Sequence, residues 1–432
     1  MTELRILLTN HTLADRGGSD LYVRDLAIAL LDRGHRPVVY SGRLGTVADD
    51  LRLATVPVVD RLDALAETPD IIHGQHHLET MTALLHFPDV PAIFCCHGWL
   101  PWEEAPPVFP RLLRYVAVDD TSRDRLVCEH GVPGDRVSVL LNFVDLRRFT
   151  SRGPLPARPA AALLFCNEDG PHVAIVRDAC ARAQIALDVR GRAFGNASAA
   201  PGALLGQYDL VFAKARAALE ALAVGAAVVL TASIGLGPMV TALDFDRLRR
   251  LNFGIRTLRV PMTTDRLLAE IARYDAADAS EVSRRVRATA GLDDTVDAFL
   301  ALYADVLAEW RRGAAVESAE ESRSTARYLR SLAGPFKWAL DERAALERRA
   351  AHAESVTDYL HGQIARERLQ ASLACAERDG LRDEIERARG VDAQLQHARA
   401  TVANMERSRF WKARRVWTRV RGLLAPRSEA GR

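Results

Sequence analysis

Short apolar runs closed by Gly, Asn, Asp or Pro alternate with amphipathic helical patterns along the first 150 residues, and the alternation begins again after a proline-rich break. "RILLTN", "RPVVYSG", "DIIHG", "PAIFCC", "RYVAVD" and "VSVLLN" read as strands. Between the first two lies a helix over 20–33, with Leu21, Leu26, Ala29 and Leu30 at helical spacing. After "SRGPLPARPAA" come "AALLFC", "IALDVRG", "YDLVFA", "AAVVLT" and "TLRV", with helical segments between them and a run of helices over 263–310. Strands that alternate with helices pair in parallel, so the expectation is an α/β protein with two Rossmann-like doubly wound domains. Ligands of such sheets sit at the carboxyl ends of the strands, here in the cleft between the domains.

A chain of 432 residues exceeds what one core usually holds. The expected division is 1–150, 160–312 and a helical extension over 313–432. A net charge of +2 gives no global field that would attract nucleic acid. Cys95, Cys96, Cys128, Cys166, Cys180 and Cys375 form no CxxC pair and read as reduced thiols of a cytoplasmic protein. The opening "MTELRILLTN" lacks the pattern of a secretory signal. Residues 221–240 carry no charge over a span long enough to cross a membrane, but Gly225, Gly235, Gly237 and Pro238 break them into helix end, strand and loop.

Beyond Arg311 the pattern is Glu, Arg and Ala without a strand signal. Ala388, Val391, Leu395, Ala398, Val402 and Met405 form a short heptad seam, with a rougher one through Leu346, Ala353, Val356, Leu360 and Ile364. Both a dimeric coiled coil and a single solvated helix fit. In residues 407–424, "RSRFWKARRVWTRVRGLL", an apolar face with Trp417 lies opposite a basic face. That pattern suits the surface of an anionic inner membrane, with a docked helix or an RNA contact as alternatives.

Gly17 and Gly18 stand between the first strand and its helix, where amides favour an anion such as a diphosphate. There is no G-x-G-x-x-G and no G-K-[ST]. "YVAVDDTSRDRLVCEHGVPGDRVSVLLNFVDLRRF" runs from a strand through the polar turn Asp119, Asp120, Thr121, Ser122 and a helix to a second strand. With the Gly-Gly turn, "DIIHGQHH" and "PAIFCCHGW", this segment resembles the N-terminal half of glycosyltransferase family 4 enzymes of the GT-B fold, over most of residues 4–149. The resemblance implies retaining transfer of a sugar from a nucleotide sugar, which is a substrate rather than a cofactor, without a bound metal. It implies that Gly17 and Gly18 line the donor phosphates, that His97 lies beside the transferred sugar, and that Asn142 and Asp145 shape the interdomain strand end. Phe143 stands where the family has glycine.

In "LEALAVGAAVV", Glu220 maps onto the second of the family's two glutamates, which accepts the ribose hydroxyls. The first glutamate is replaced by Phe212, and the family's Arg and Lys for the leaving diphosphate are missing from "LLFCNEDGPHVAIVRDAC". Lys214 and Arg216, near a helix start, are the candidates to supply that positive charge. The plainer reading is an Arg216–Glu220 surface pair at i,i+4. His73, His76 and His77 on a loop after a strand rarely converge on a metal. Asp244 and Asp246 read as helix-start residues rather than a metal motif.

The expected function is a glycosyltransferase acting on a glycan or lipid-linked acceptor at the inner membrane face; the tail end "S-x-F-W-K-x-R" resembles those of some envelope glycosyltransferases. The alternatives are a GT-B body that has lost catalysis and serves as a scaffold, and an epimerase of the same fold.

Overall fold

The structure, a computed structural model, describes residues 3–198, 200–313 and 317–387. The first sheet has seven strands: β1 (Arg5–Thr9), β2 (Arg36–Tyr40), β3 (Val58–Val59), β4 (Ile71–Gln75), β5 (Ala92–Cys96), β6 (Leu112–Ala117) and β7 (Val137–Val139). Their order is β3-β2-β1-β4-β5-β6-β7, and every pairing is parallel. Helices α1 (Gly18–Asp32), α2 (Thr46–Leu53), α3 (His77–His86) and α4 (Asp120–Asp124) connect them. The direction of strand addition reverses between β1 and β4, which opens a crevice at their carboxyl ends.

The second sheet runs β12-β11-β10-β8-β9, with β8 (Ala161–Phe165), β9 (Ala186–Arg190), β10 (Leu210–Ala213), β11 (Ala227–Ala232) and β12 (Gly235–Met239). Its helices are α5 (Pro171–Arg182), α6 (Pro201–Leu205), α7 (Ala215–Val224), α8 (Phe245–Arg250), α9 (Thr264–Ile271) and α10 (Ala276–Thr289). The reversal here lies between β8 and β10. The strand expected at "TLRV" is absent: Val260 makes only an isolated bridge to Leu236. The edge position is taken by β12, antiparallel to β11. Its Gly-x-Gly-Pro sequence reads as a loop, but proline is admissible on an edge, where no neighbour needs its amide.

Two chain segments join the sheets and bond to each other. Val144 N–H donates to Ala290 O at 2.7 Å, and Leu292 N–H donates to Val144 O at 3.1 Å. Beyond that crossing α11 (Leu292–Arg312) returns to the first sheet, where Val296, Phe299, Leu300 and Tyr303 share a core with α1 and β1. Sequence alone groups these residues with 160–312. Their apolar stripe fixes that they are buried, not which sheet buries them. No helix among the described residues is long and apolar enough to cross a membrane, and 221–240 divides among α7, β11 and β12.

The chain separates into two compact units, residues 1–331 and 332–432. Helix α12 (Ser318–Arg387) begins in the first unit, where Glu321 meets the buried Arg111 guanidinium at 2.6 Å and Tyr328 Oη bonds His77 Nδ1 at 2.8 Å. In the second unit it continues as one helix through Gly380. Val356, Leu360 and Ile364 are half-buried there, while Leu346 is exposed. The seam over 388–405 and the basic segment 407–424 lie outside the described residues.

Candidate functional site

Glu220 sits on α7 with its side chain turned inward, 5% exposed. Arg216, one turn earlier, donates from Nε to Glu220 Oε1 at 2.7 Å. The same guanidinium reaches across to Asp25 on α1. Asp25, 4% exposed, also takes Arg24 at 2.6 Å and Arg148 at 3.0 Å. Burial pushes both carboxylates up. At Asp25 the three arginines outweigh it and hold the group below its ordinary value; at Glu220 burial outweighs Arg216 and the group stays above. The i,i+4 pair expected on the surface is therefore a buried link between the two sheets' helices.

Around this link a small pocket of about 80 Å³ opens between the sheets. Arg16, Arg24 and Arg148 border it from the first sheet's side and the crossing segment; Asn167, Gly191, Ser198 and Glu220 border it from the second. Phe149 and Phe165 supply apolar wall. Gly191 is demanded by close approach, since a Cβ there would lie 1.6 Å from the Cys166 carbonyl oxygen. Arg192 bonds Asp15 across the opening at 3.0 Å.

Gly17 caps α1 and Gly18 opens it, with nothing within 4 Å of where a Gly18 Cβ would stand. A Cβ on Gly17 would meet Asp20 Oδ2 at 3.3 Å. Asp20 is buried and accepts from Asn10 Nδ2 at 2.8 Å, and burial pushes it up to about 6 against the bonds from Asn10 and the Gly17 backbone. The helix start expected to attract a diphosphate thus already faces a carboxylate of its own first turn.

Lys214, at the end of β10, pairs with Glu168 Oε1 at 3.1 Å, and Ser233 bonds the other oxygen of Glu168. Phe212, at the position of the family's first glutamate, is wholly buried in the second core.

His97 follows β5, its ring edge-on to Tyr22 at 4.5 Å between centroids. Its backbone N–H donates to Glu104 Oε2 at 2.8 Å, while its Nε2 is buried without a partner among the described residues. Burial pulls it down to about 4, so the imidazole is neutral at pH 7. His76 accepts the His11 amide at Nδ1, which puts its proton on Nε2, facing Glu104 Oε1 at 3.4 Å. His73 instead bonds Tyr303 Oη at 2.6 Å and His77 bonds Tyr328. The three histidines go to three different partners, and no group of three ligand side chains is placed for a metal among the described residues.

Asn142 and Asp145 lie on the crossing segment. Asn142 Oδ1 is buried without a donor, and its carbonyl accepts Arg249 Nη2 at 2.6 Å. Asp145 Oδ1 accepts the Arg147 amide at 3.1 Å. Phe143, in place of the family's glycine, packs on Tyr22, with the Arg216 guanidinium 6.0 Å from its ring centroid. Asp25, Arg148, Glu104 and Arg249 escaped the sequence reading. Asp25 carried a signal, because it falls on the apolar stripe of Leu21, Tyr22 and Ala29. Arg249 carried almost none, being one of three arginines in "RLRR".

Residues 16–148 match the family model described as Glycosyltransferase Family 4. No curated protein matches the chain in sequence. Among solved structures, a glycosyltransferase from Rickettsia africae ESF-5 is 14% identical with a TM-score of 0.51; the match covers 71% of this chain and 99% of that one. Alr3699/HepE from Anabaena, solved in complex with UDP and glucose, is 16% identical with a TM-score of 0.51, over 70% of this chain and 100% of its own. The two facing sheets have the GT-B fold of these solved proteins, and with the family match across the first sheet they support a GT-B glycosyltransferase.

Proposed function

We propose that the protein transfers a hexosyl group from a nucleotide-sugar donor to a glycan or lipid-linked acceptor, retaining anomeric configuration and using no bound metal. The observation that carries this reading is the pocket between the start of α1 and the strand ends beside the β8–β10 reversal, bordered by Glu220 and three arginines. HepE was solved with UDP and glucose, which supports a nucleotide-linked donor for this fold.

On this reading Glu220 accepts the ribose hydroxyls, with Arg216 fixing its rotamer through one oxygen. Gly17 and Gly18 lie toward the diphosphate, and the open space beside Gly18 leaves room for it. His97 offers Nε2 to a sugar hydroxyl, Asn142 shapes the strand end beside it, and Lys214 is the cation at the start of α7. No side chain serves as nucleophile; positioning and leaving-group stabilisation supply the rate. We assign the protein to the cytoplasm, with 407–424 resting on the inner membrane face and the helical tail pairing two copies.

The test is thermal stabilisation of the full chain by UDP, GDP, ADP and TDP and their sugars, repeated with Glu220→Ala. Ligand at 100 times its Kd adds about 2.7 kcal/mol. One nucleotide should raise Tm in the native chain and fail to do so in the variant. Silence across the panel would replace this reading with that of a scaffold that has lost its donor site.

A further inference from the structure

Arg249 stands in the last turn of α8 and is 5% exposed. Nη2 donates to the Asn142 carbonyl at 2.6 Å, but Nε and Nη1 are buried with no partner among the described residues. Its neighbours in the cleft are all answered: Arg216 and Arg148 share Asp25, Arg250 has Asp120, and Arg256 has Asp124. At Arg249 burial acts alone and pulls the guanidinium down to about 10, with no carboxylate opposing it.

Beside it Asn142 Oδ1 and Asn252 Oδ1 are buried without donors among the described residues; as acceptors they do not bind an anion, which only Nε and Nη1 of Arg249 would receive. Asn252 and Phe253 are consecutive non-glycine residues in the left-handed region, at φ 51° and 52°. Such strain persists only where surrounding contacts hold it. One holding contact is the Phe253 carbonyl, which accepts the Ala215 amide at 2.9 Å and so ties this loop to the start of α7, beside Lys214 and Arg216. On the other side the loop faces α4, with Asp119 Oδ2 at 3.9 Å from a Cβ on Gly254.

A buried guanidinium without a counter-charge is destabilising, and proteins keep such groups where a ligand brings the anion. Glycosyl transfer builds negative charge on a leaving diphosphate. Lys214 is neutralised by Glu168, and Arg216 by Asp25 and Glu220. We infer that Arg249, flanked by Asn142 and Asn252, receives a phosphate group of a substrate in the cleft between the sheets. The inference rests on the transfer reading, and the phosphate is either the donor's diphosphate or one carried by the acceptor. Access requires separation of α8 and the following loop from α4, which the Arg250–Asp120 and Arg256–Asp124 pairs hold together. Partly exposed pairs of this kind give way easily.

The experiment measures binding of inorganic diphosphate to the full chain, and the Tm it produces, for the native protein, Arg249→Met, Arg249→Lys and the exposed control Arg247→Gln. Native protein and control should bind alike. The methionine variant should bind at least tenfold more weakly while its ligand-free Tm stays level or rises, because an unpaired buried charge is gone; lysine should recover part of the affinity. Unchanged diphosphate affinity in the methionine variant overturns the inference, as does a fall in ligand-free Tm with affinity intact. If the methionine variant does not fold, the lysine variant carries the comparison. Displacement of diphosphate by a nucleoside diphosphate assigns the anion to the donor; displacement by farnesyl phosphate alone assigns it to the acceptor. Nucleotide binding that needs Glu220, together with diphosphate and farnesyl phosphate binding that both ignore Arg249, sinks this inference and leaves the transfer reading standing. Arg249-dependent diphosphate binding with no nucleotide binding does the reverse.

Discussion

Buried arginines occupy two places along the cleft, and the two differ in how their charge is closed. At Asp25 one buried carboxylate gathers Arg24, Arg148 and Arg216, and Arg216 passes on to Glu220. At Arg249 the guanidinium finds one carbonyl and no acid among the described residues. Where the protein supplies both signs, the cluster acts as a joint that fixes the helices relative to each other. Where it supplies one sign, it holds a place for a ligand.

The strongest way to break this contrast is Arg216→Ala. It leaves Glu220 buried without a counter-ion and cuts the link to Asp25, and unfolding in urea should show a loss of about 3–5 kcal/mol. A loss below about 1 kcal/mol would mean that Arg24 and Arg148 satisfy Asp25 and that no joint exists.

Acid should separate the joint from the histidine-lined wall next to it. His97 and His77 are pulled down to about 4 and His73 to about 3 by burial, from an ordinary 6.5. The unfolded chain therefore takes up protons that the folded one refuses, so their stabilisation is full above pH 6.5 and falls as the pH drops toward 4. A tenfold difference in proton affinity is about 1.4 kcal/mol, and denaturation at pH 7 and 4.5 should differ by about 3 kcal/mol or more. Asp20, pushed up to about 6, works in the opposite direction over part of the window, as do the raised His76, Glu79, Asp119 and Glu220, while His35, His130 and His172, also pulled down by burial, add to the three rings. Asp25, held below its ordinary 3.8, contributes fully down to that pH and is lost only below it. Stability that is flat between pH 7 and 4.5 would refute the buried, neutral state of these rings.

The smallest effect belongs to Arg250→Ala. Its pair with Asp120 lies at the rim, with the arginine side chain 69% exposed, and should be worth under about 1 kcal/mol in thermal denaturation. A larger loss would make the α8–α4 contact a second joint.

Ten strands of the two sheets were legible because each is a short apolar run with a turn residue at its end. The edge strands β3 and β12 were not: β3 is only two residues long, and the glycines and proline of β12 obey edge-strand rules that only the neighbouring β11 makes visible. Glu220 was singled out through its sequence context; its i,i+4 pair with Arg216 is present but buried rather than on the surface, and the residue borders the pocket. Asp25 could have been found from its place on the stripe of α1. Arg249 could not, since what distinguishes it from Arg247 and Arg250 is the absence of partners in three dimensions.

The return of α11 to the first sheet bears on how such a chain can be recombined. Phe299 and Tyr303 complete a core begun by Ile6 and Leu8, so the first sheet's hydrophobic set is closed only when residues near 307 have been made. A chimera that exchanges the second sheet must therefore be an insertion, with one junction near Val144 and the other near Ala290, where the two crossings already bond each other. A simple fusion at the proline-rich break would strand α11 with the wrong parent.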